Sequence, residues 1–297
     1  MTIEEGYMPY LNYQTYYRIV GSPNPTKKPL ILLHGGPGST HNYFELFDQL
    51  ALEDDRQIIM YDQLGCGKSA TDSRPDLWHA KTWLNELMAL RDFLNITECH
   101  ILGQSWGGML AIEYLCDHKP TGILSVILSS TLPSAELWAQ EQHRMIKLMS
   151  PPHQKAIAEA EASDDFTKLA YLEANDEFMK RHAADVPSPD SPEPLRRKKV
   201  AGTESYITAW GPNEFYPNGT LAGWDYRDKL HTITVPTLIT SGTDDLSTPL
   251  IAKTMNDRIP NSQWELFATS RHMPFVDEHA KYLVVLKDWL NKVELTN

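Results

Sequence analysis

A serine set among glycines, an acidic pair and a late histidine are the residues of this chain best suited to covalent chemistry. The segment Gly103-Gln104-Ser105-Trp106-Gly107-Gly108 fits the pattern G-x-S-x-G. It stands between an apolar run that reads as a strand and one that reads as a helix, the context that pattern requires. A turn so tight needs small flanking residues. It lifts the serine hydroxyl above the sheet edge, and the following helix aims its free N–H groups at an oxyanion. A serine hydroxyl is a poor nucleophile at neutral pH and needs a base. His272, in Ser270-Arg271-His272-Met273-Pro274-Phe275, follows the last expected strand and fits that role. The later His279 reads as the exposed start of a helix. The acid that orients the imidazole belongs between serine and histidine in chain order. Asp244 and Asp245 both qualify, in Ser241-Gly242-Thr243-Asp244-Asp245-Leu246-Ser247-Thr248-Pro249. The loop His34-Gly35-Gly36-Pro37-Gly38 lets the backbone approach a substrate closely. Gly36 and Trp106 are the expected oxyanion-hole donors, since Pro37 has no N–H.

These groups need a rigid frame, and the periodicity supplies one. Short apolar runs at Thr15–Val20, Leu30–Leu33, Gln57–Asp62, Cys99–Gln104 and Leu124–Ser129 read as strands. Lys81–Leu94 and Trp106–Cys116 between them read as helices. Strands alternating with helices predict a mostly parallel sheet covered on both faces. The pattern changes after Pro133. From there to about His231 helices are expected at Ala135–Met149, His153–Ala162 and Phe166–Arg181, with a Pro-rich loop over Pro187–Pro194 that cannot be helical. Strand and helix resume with a strand from Thr237 to Ser241, a helix after Pro249, a strand at Trp264–Phe267 and a helix near His279–Leu290. The expected organisation is therefore an α/β core in two parts, 1–132 and 232–297, with a helical cap over 133–231.

Composition sets the outer limits. The chain has 297 residues, 41% hydrophobic and 22% charged, with 8 Trp, 13 Tyr and 8 Phe, so it is neither collagen-like nor disordered. The net charge of −12 argues against a nucleic-acid partner. The one basic run, Arg196-Arg197-Lys198-Lys199, reads as a solvated helix face. No run approaches the ~20 apolar residues of a membrane span. Cys66, Cys99 and Cys116 form no C-x-x-C pair, which gives no support to a structural zinc site and fits a reducing compartment. The N-terminus lacks a secretory pattern, so a cytoplasmic location is expected. Gly67-Lys68-Ser69 is not a phosphate loop, because Asp62 stands where the first glycine is required. Cys66 follows a strand on the side where active sites gather, but an incidental role is the simpler reading. The residues alone support a serine hydrolase that uses no metal or cofactor. An esterase, a lactonase and an amino-acid amidase remain open, with a non-catalytic relative as the rival from another class.

Four segments taken together are more specific. His34–Gly38, Tyr61-Asp62-Gln63-Leu64-Gly65-Cys66-Gly67-Lys68-Ser69, Gly103–Gly108 and Gly211-Pro212-Asn213-Glu214-Phe215 resemble the proline iminopeptidases (prolyl aminopeptidases), above all those of lactic acid bacteria. These are serine peptidases of the α/β-hydrolase fold, and the likeness runs over nearly the whole chain. It implies release of N-terminal proline from small peptides through a prolyl-enzyme. The family pattern G-x-x-D-x-x-x-P, bracketed here by Gly242 and Pro249, implies Asp245 as the acid. The cap motif implies that Glu214 binds the free amine. Leu246 stands where some relatives carry a second glutamate, so Asp244 is the substitute at hand. An apolar slot for the proline ring is expected from Trp106, Trp210, Phe215 and Phe275.

Overall fold

A computed structural model describes residues 2–296. Eight strands form one sheet: β1 (Ile3–Tyr10), β2 (Tyr13–Val20), β3 (Leu30–Leu33), β4 (Ile58–Tyr61), β5 (Cys99–Gln104), β6 (Ile123–Ser129), β7 (Thr237–Gly242) and β8 (Ser262–Phe267), in the order β1-β2-β4-β3-β5-β6-β7-β8. The pairs β1–β2 and β2–β4 are antiparallel and all others parallel.

Period-2 alternation divides the strands between two apolar layers. Ile31 and Leu33 of β3 face one layer. It is built with Trp83, Leu84, Leu87 and Leu90 of α2 (Ala80–Phe93) and Met109–Ile112 of α3 (Trp106–Glu113). Leu30 and Leu32 face the other, built with Leu50 and Ala51 of α1 (Asp48–Glu53) and with Tyr282, Leu283 and Leu286 of a C-terminal helix, His279–Thr296. Both faces of the sheet being covered, β3 and β4 are buried at every position and carry no polar alternation.

Between β6 and β7 the chain makes helices only: α4 (Ala135–Ile146), α5 (Pro151–Ser163), α6 (Leu169–His182), α7 (Glu193–Arg196) and α8 (Thr203–Ala209). Helices α9 (Pro249–Arg258), α10 (Pro274–Asp277) and α11 (His279–Thr296) complete the chain. Ser134 caps α4 by accepting a hydrogen bond from the Leu137 N–H, and α5 and α9 begin on prolines.

One strand escaped the sequence reading, and two local readings need correction. β1 was not legible: of its residues only Met8 is buried, and Gly6 and Pro9 weaken a strand pattern. Gly6 is nonetheless fitted to its place, because a Cβ there would lie 2.4 Å from the Tyr17 hydroxyl. The helix from Trp106 ends at Glu113 and continues as a π-helical turn, Tyr114–His118. The Pro-rich segment is not wholly loop, since α7 starts at Glu193 with Pro194 in its first turn, where proline lacks no needed N–H.

Candidate active site

Ser105 sits between β5 and α3 with φ 54° and ψ −122°, a strained conformation for a residue with a side chain. The turn exists because the residues two positions to either side, Gly103 and Gly107, have none. A Cβ on Gly103 would lie 2.3 Å from the Gly107 carbonyl oxygen, and one on Gly107 2.0 Å from that of Leu33. The strand end, the helix start and the loop after β3 therefore pack backbone against backbone. Trp106 opens α3, so its N–H has no acceptor within the helix. It and Gly36 border the same small cavity as Ser105.

The acid and the histidine meet at the ends of the neighbouring strands. His272 Nδ1 lies 2.7 Å from Asp245 Oδ1. Asp245 is 1% exposed and accepts three further hydrogen bonds: from Ser247 N at 2.8 Å, Ser130 Oγ at 2.6 Å and Gly242 N at 3.0 Å. Such a carboxylate is held in one orientation. It favours the proton on Nδ1 and leaves Nε2 free to act as a base. The neighbouring Asp244 is exposed, and its hydrogen bonds among the described residues are made by its backbone: its carbonyl accepts from His182 and its N–H donates to the Ser270 carbonyl. The geometry thus separates two aspartates that spacing alone could not. Ser105 and His272 line one cavity of about 400 Å³. No hydrogen bond within 3.5 Å joins their side chains among the described residues, as is common before substrate tightens a catalytic pair.

Glu214 lies on the same cavity. Its Oε1 accepts from the Tyr206 hydroxyl at 2.8 Å, and its carbonyl accepts from Trp138 Nε1 at 2.7 Å. Removal from solvent pushes its pKa up, while the nearby His272 and the Tyr206 bond pull it back. No cation of the protein pairs with this carboxylate among the described residues. A second cavity, about 10 Å³ and so no larger than a water, branches off beside Ser105. Its walls are Gly36, Trp106, Met109, Leu132, Trp138, Trp210 and Glu214. Trp106 and Trp210 are therefore in the apolar slot. Phe215 and Phe275 are not: Phe215 packs on Tyr171 and Phe178, and Phe275 on Tyr43, Phe47 and Tyr282. Trp138 takes part instead, with its ring edge-on to His272 at 5.8 Å.

A buried polar web that motif reading missed braces these parts. Tyr43 Oη accepts the Gly35 N–H at 2.7 Å and donates to Gln104 Oε1 at 3.0 Å, and Gln104 Nε2 donates to the His272 carbonyl at 3.4 Å. Gln63 receives Trp106 Nε1 at 2.8 Å and donates to the His34 carbonyl at 3.0 Å. His34 is fully buried, and burial pushes its pKa down to about 4. A neutral ring fits its bonds, with Nε2 accepting the Gln63 N–H at 2.9 Å and Nδ1 donating to the Gly35 carbonyl at 2.9 Å. Cys66 is buried, gives its S–H to the Gln63 carbonyl at 3.2 Å and does not line the cavity; burial pushes its thiol pKa up.

The basic run is divided. Arg197 pairs with Glu45 and Glu193, but Lys199 lies beyond α7 and lines the large cavity. The run is exposed as expected, but only Arg196 of it is helical, because α7 ends there. Among the described residues no group of three His, Cys, Asp or Glu side chains is placed to hold a metal ion, and no helix is long and apolar enough to cross a membrane.

Comparison with known proteins places this geometry among relatives. The family model of the alpha/beta hydrolase fold matches residues 28–279. The chain is 62% identical to a proline iminopeptidase of Clostridium botulinum over 98% of its own length and 99% of the relative's. It is 60% identical to one of Lactiplantibacillus plantarum, over 95% and 99%. Among solved structures, that of a proline iminopeptidase from Mycobacterium smegmatis superposes with a TM-score of 0.87 at 30% identity, covering 99% of each chain.

Proposed function

The chain belongs to the proline iminopeptidases of the α/β-hydrolase fold, and from that membership we propose how its residues release N-terminal proline from peptides. The activity is that of a prolyl aminopeptidase. The substrate's amine, as its cation, pairs with Glu214, and the pyrrolidine ring lies at the mouth of the slot, where Trp106, Trp138 and Trp210 must move apart to admit it. That ion pair is strengthened by the partial removal of Glu214 from water. It also restricts cleavage to the terminal residue, since an internal peptide bond brings no cation to a carboxylate that burial already disfavours.

His272 Nε2 takes the hydroxyl proton as Ser105 Oγ bonds to the prolyl carbonyl carbon. Asp245 steadies the imidazolium so formed. The N–H groups of Gly36 and Trp106 hold the oxyanion. His272 then gives its proton to the leaving nitrogen as the C–N bond breaks, and a shortened peptide departs. Water, losing a proton to His272, attacks the prolyl ester. His272 returns that proton to Ser105 Oγ as free proline leaves. The segment 133–231 acts as a cap that brings Glu214, Trp138 and Trp210 over the serine.

The observation that carries this reading is one cavity holding a serine on a strained turn, a histidine bound to a buried aspartate, and a carboxylate without a cation. The test is Ser105→Ala with proline p-nitroanilide. A fall in kcat of several orders of magnitude with an unchanged melting temperature is expected; near-normal turnover would remove Ser105 from the chemistry.

A further inference from the structure

The mechanism leaves one charged group of the cavity unused. Lys199 lines the large cavity with Ser39, Tyr43 and Met273 but does not border the small slot beside Ser105. Its ammonium lies 5.6 Å from the centroid of the Tyr43 ring. While Arg197 is committed to two carboxylates, no carboxylate lies within ion-pair distance of Lys199 among the described residues. Lys199 is exposed as a whole residue, and desolvation of its ammonium at the cavity edge lowers its pKa from the usual lysine value. An ammonium kept unpaired at the edge of a reaction cavity favours an anion there.

The two cavities give the site a direction. Glu214 and Ser105 border both of them, so the end of the large cavity next to the slot receives the acyl side of the scissile bond and the amine. The rest of the large cavity, with His272 and Met273 on its wall, receives the leaving group. Lys199 borders the large cavity but not the slot, over Tyr43, whose hydroxyl is bonded to Gly35 and Gln104, and this assigns it to the leaving side. A site with a carboxylate at its acyl end and an ammonium at its leaving end matches a short zwitterion. At about 400 Å³ the cavity is near the small end of ligand pockets and suits a short peptide rather than a chain of many residues.

Resting on the prolyl aminopeptidase reading, we infer that Lys199 is a specificity residue that binds the free C-terminal carboxylate of short prolyl peptides as the leaving product. Longer peptides and C-terminally blocked ones lose this contact but keep the chemistry. The chain so described is tuned to the last products of peptide breakdown, and an endopeptidase or a longer-acting exopeptidase must supply its substrates.

The test compares Pro-Ala with its C-terminal amide, with proline p-nitroanilide as a separate check on the prolyl activity. The readout is the ratio of kcat/KM for the acid to that for the amide. Wild type favours the acid, Lys199→Met lowers the ratio about tenfold, the size of one charge-assisted hydrogen bond, and Lys199→Arg retains most of it. The loss appears in KM rather than kcat, because the contact is made equally before and during reaction. A ratio at or below one in wild type, or the same ratio in Lys199→Met, overturns the assignment while the prolyl activity stands. Absence of wild-type turnover on all three compounds overturns the prolyl reading itself, and the Lys199 assignment with it.

Discussion

Replacing Glu214 by glutamine removes one charge and almost no volume. In the structure this carboxyl has one neutral donor, the Tyr206 hydroxyl at 2.8 Å, and no cation of the protein. A glutamine amide still bonds to that hydroxyl through its oxygen, so the fold is kept. What disappears is the partner for the substrate's amine cation. Removing one member of an enclosed ion pair costs about 2–4 kcal/mol, or roughly 30- to 1,000-fold in kcat/KM. The loss is confined to substrates that carry the cation. Proline p-nitroanilide and p-nitrophenyl acetate, assayed side by side by chromophore release, separate the two cases: the anilide falls by that factor and the ester changes little. The pH profile adds a second reading. Because burial raises the pKa of Glu214, it is neutral at low pH in the free enzyme, and the amine site is lost as pH falls through that raised value. The acid limb of kcat/KM for the anilide then contains two titrations in wild type and one in Glu214→Gln. An equal loss on anilide and ester, or an unchanged acid limb, would refute the ion-pair argument.

Three further outcomes are expected. Tyr43→Phe leaves the Gly35 N–H and Gln104 Oε1 without their shared partner, at a cost of about 1–3 kcal/mol for buried polar groups; both the melting temperature and kcat should fall, and an unchanged kcat would remove Tyr43 from the brace. Gly107→Ala sets a Cβ 2.0 Å from the Leu33 carbonyl oxygen, so loss of soluble folded protein or a large drop in melting temperature is expected, and a wild-type thermogram would contradict it. Glu86 is fully buried, takes hydrogen bonds from the Thr15 hydroxyl and the Leu64 N–H, and has its pKa pushed up to about 8 from 4.5. The folded state therefore holds this proton more tightly than the unfolded state, and stability falls as pH rises from 4.5 towards about 8. The melting temperature of Glu86→Gln relative to wild type should rise between pH 5 and pH 8.5, and a constant difference would show that Glu86 does not titrate in that range.

Much of the frame was legible because burial on both faces writes strands as unbroken apolar runs. β3 and β5 occupy the residues expected of them, and β6 begins one residue earlier, at Ile123. β1 was hidden because it lies at the sheet edge, mostly exposed, and turns back through Leu11 and Asn12, both at positive φ, without an Asn-Gly signal. Spacing left Asp244 and Asp245 equivalent, since one residue separates a buried side chain from an exposed one. The family pattern implies Asp245, and in the structure the hydrogen donors around it and its bond to His272 set it apart from Asp244. Phe215 and Phe275 lie near Glu214 and His272 in sequence, yet their rings turn into the core. Trp138, far from any motif, borders the slot through the helical segment. Tyr43, Tyr206 and Lys199 were missed for the same reason. Each reaches the site from a loop or helix whose position depends on tertiary packing.

The most direct test of the account identifies the product. A peptide with N-terminal proline and the same peptide N-acetylated are incubated with wild type and with Ser105→Ala, and the products are separated by chromatography. The account predicts free proline from the unblocked peptide with wild type alone, and nothing from the acetylated one. Cleavage of the acetylated peptide, cleavage at an internal bond, or proline release by Ser105→Ala would contradict it.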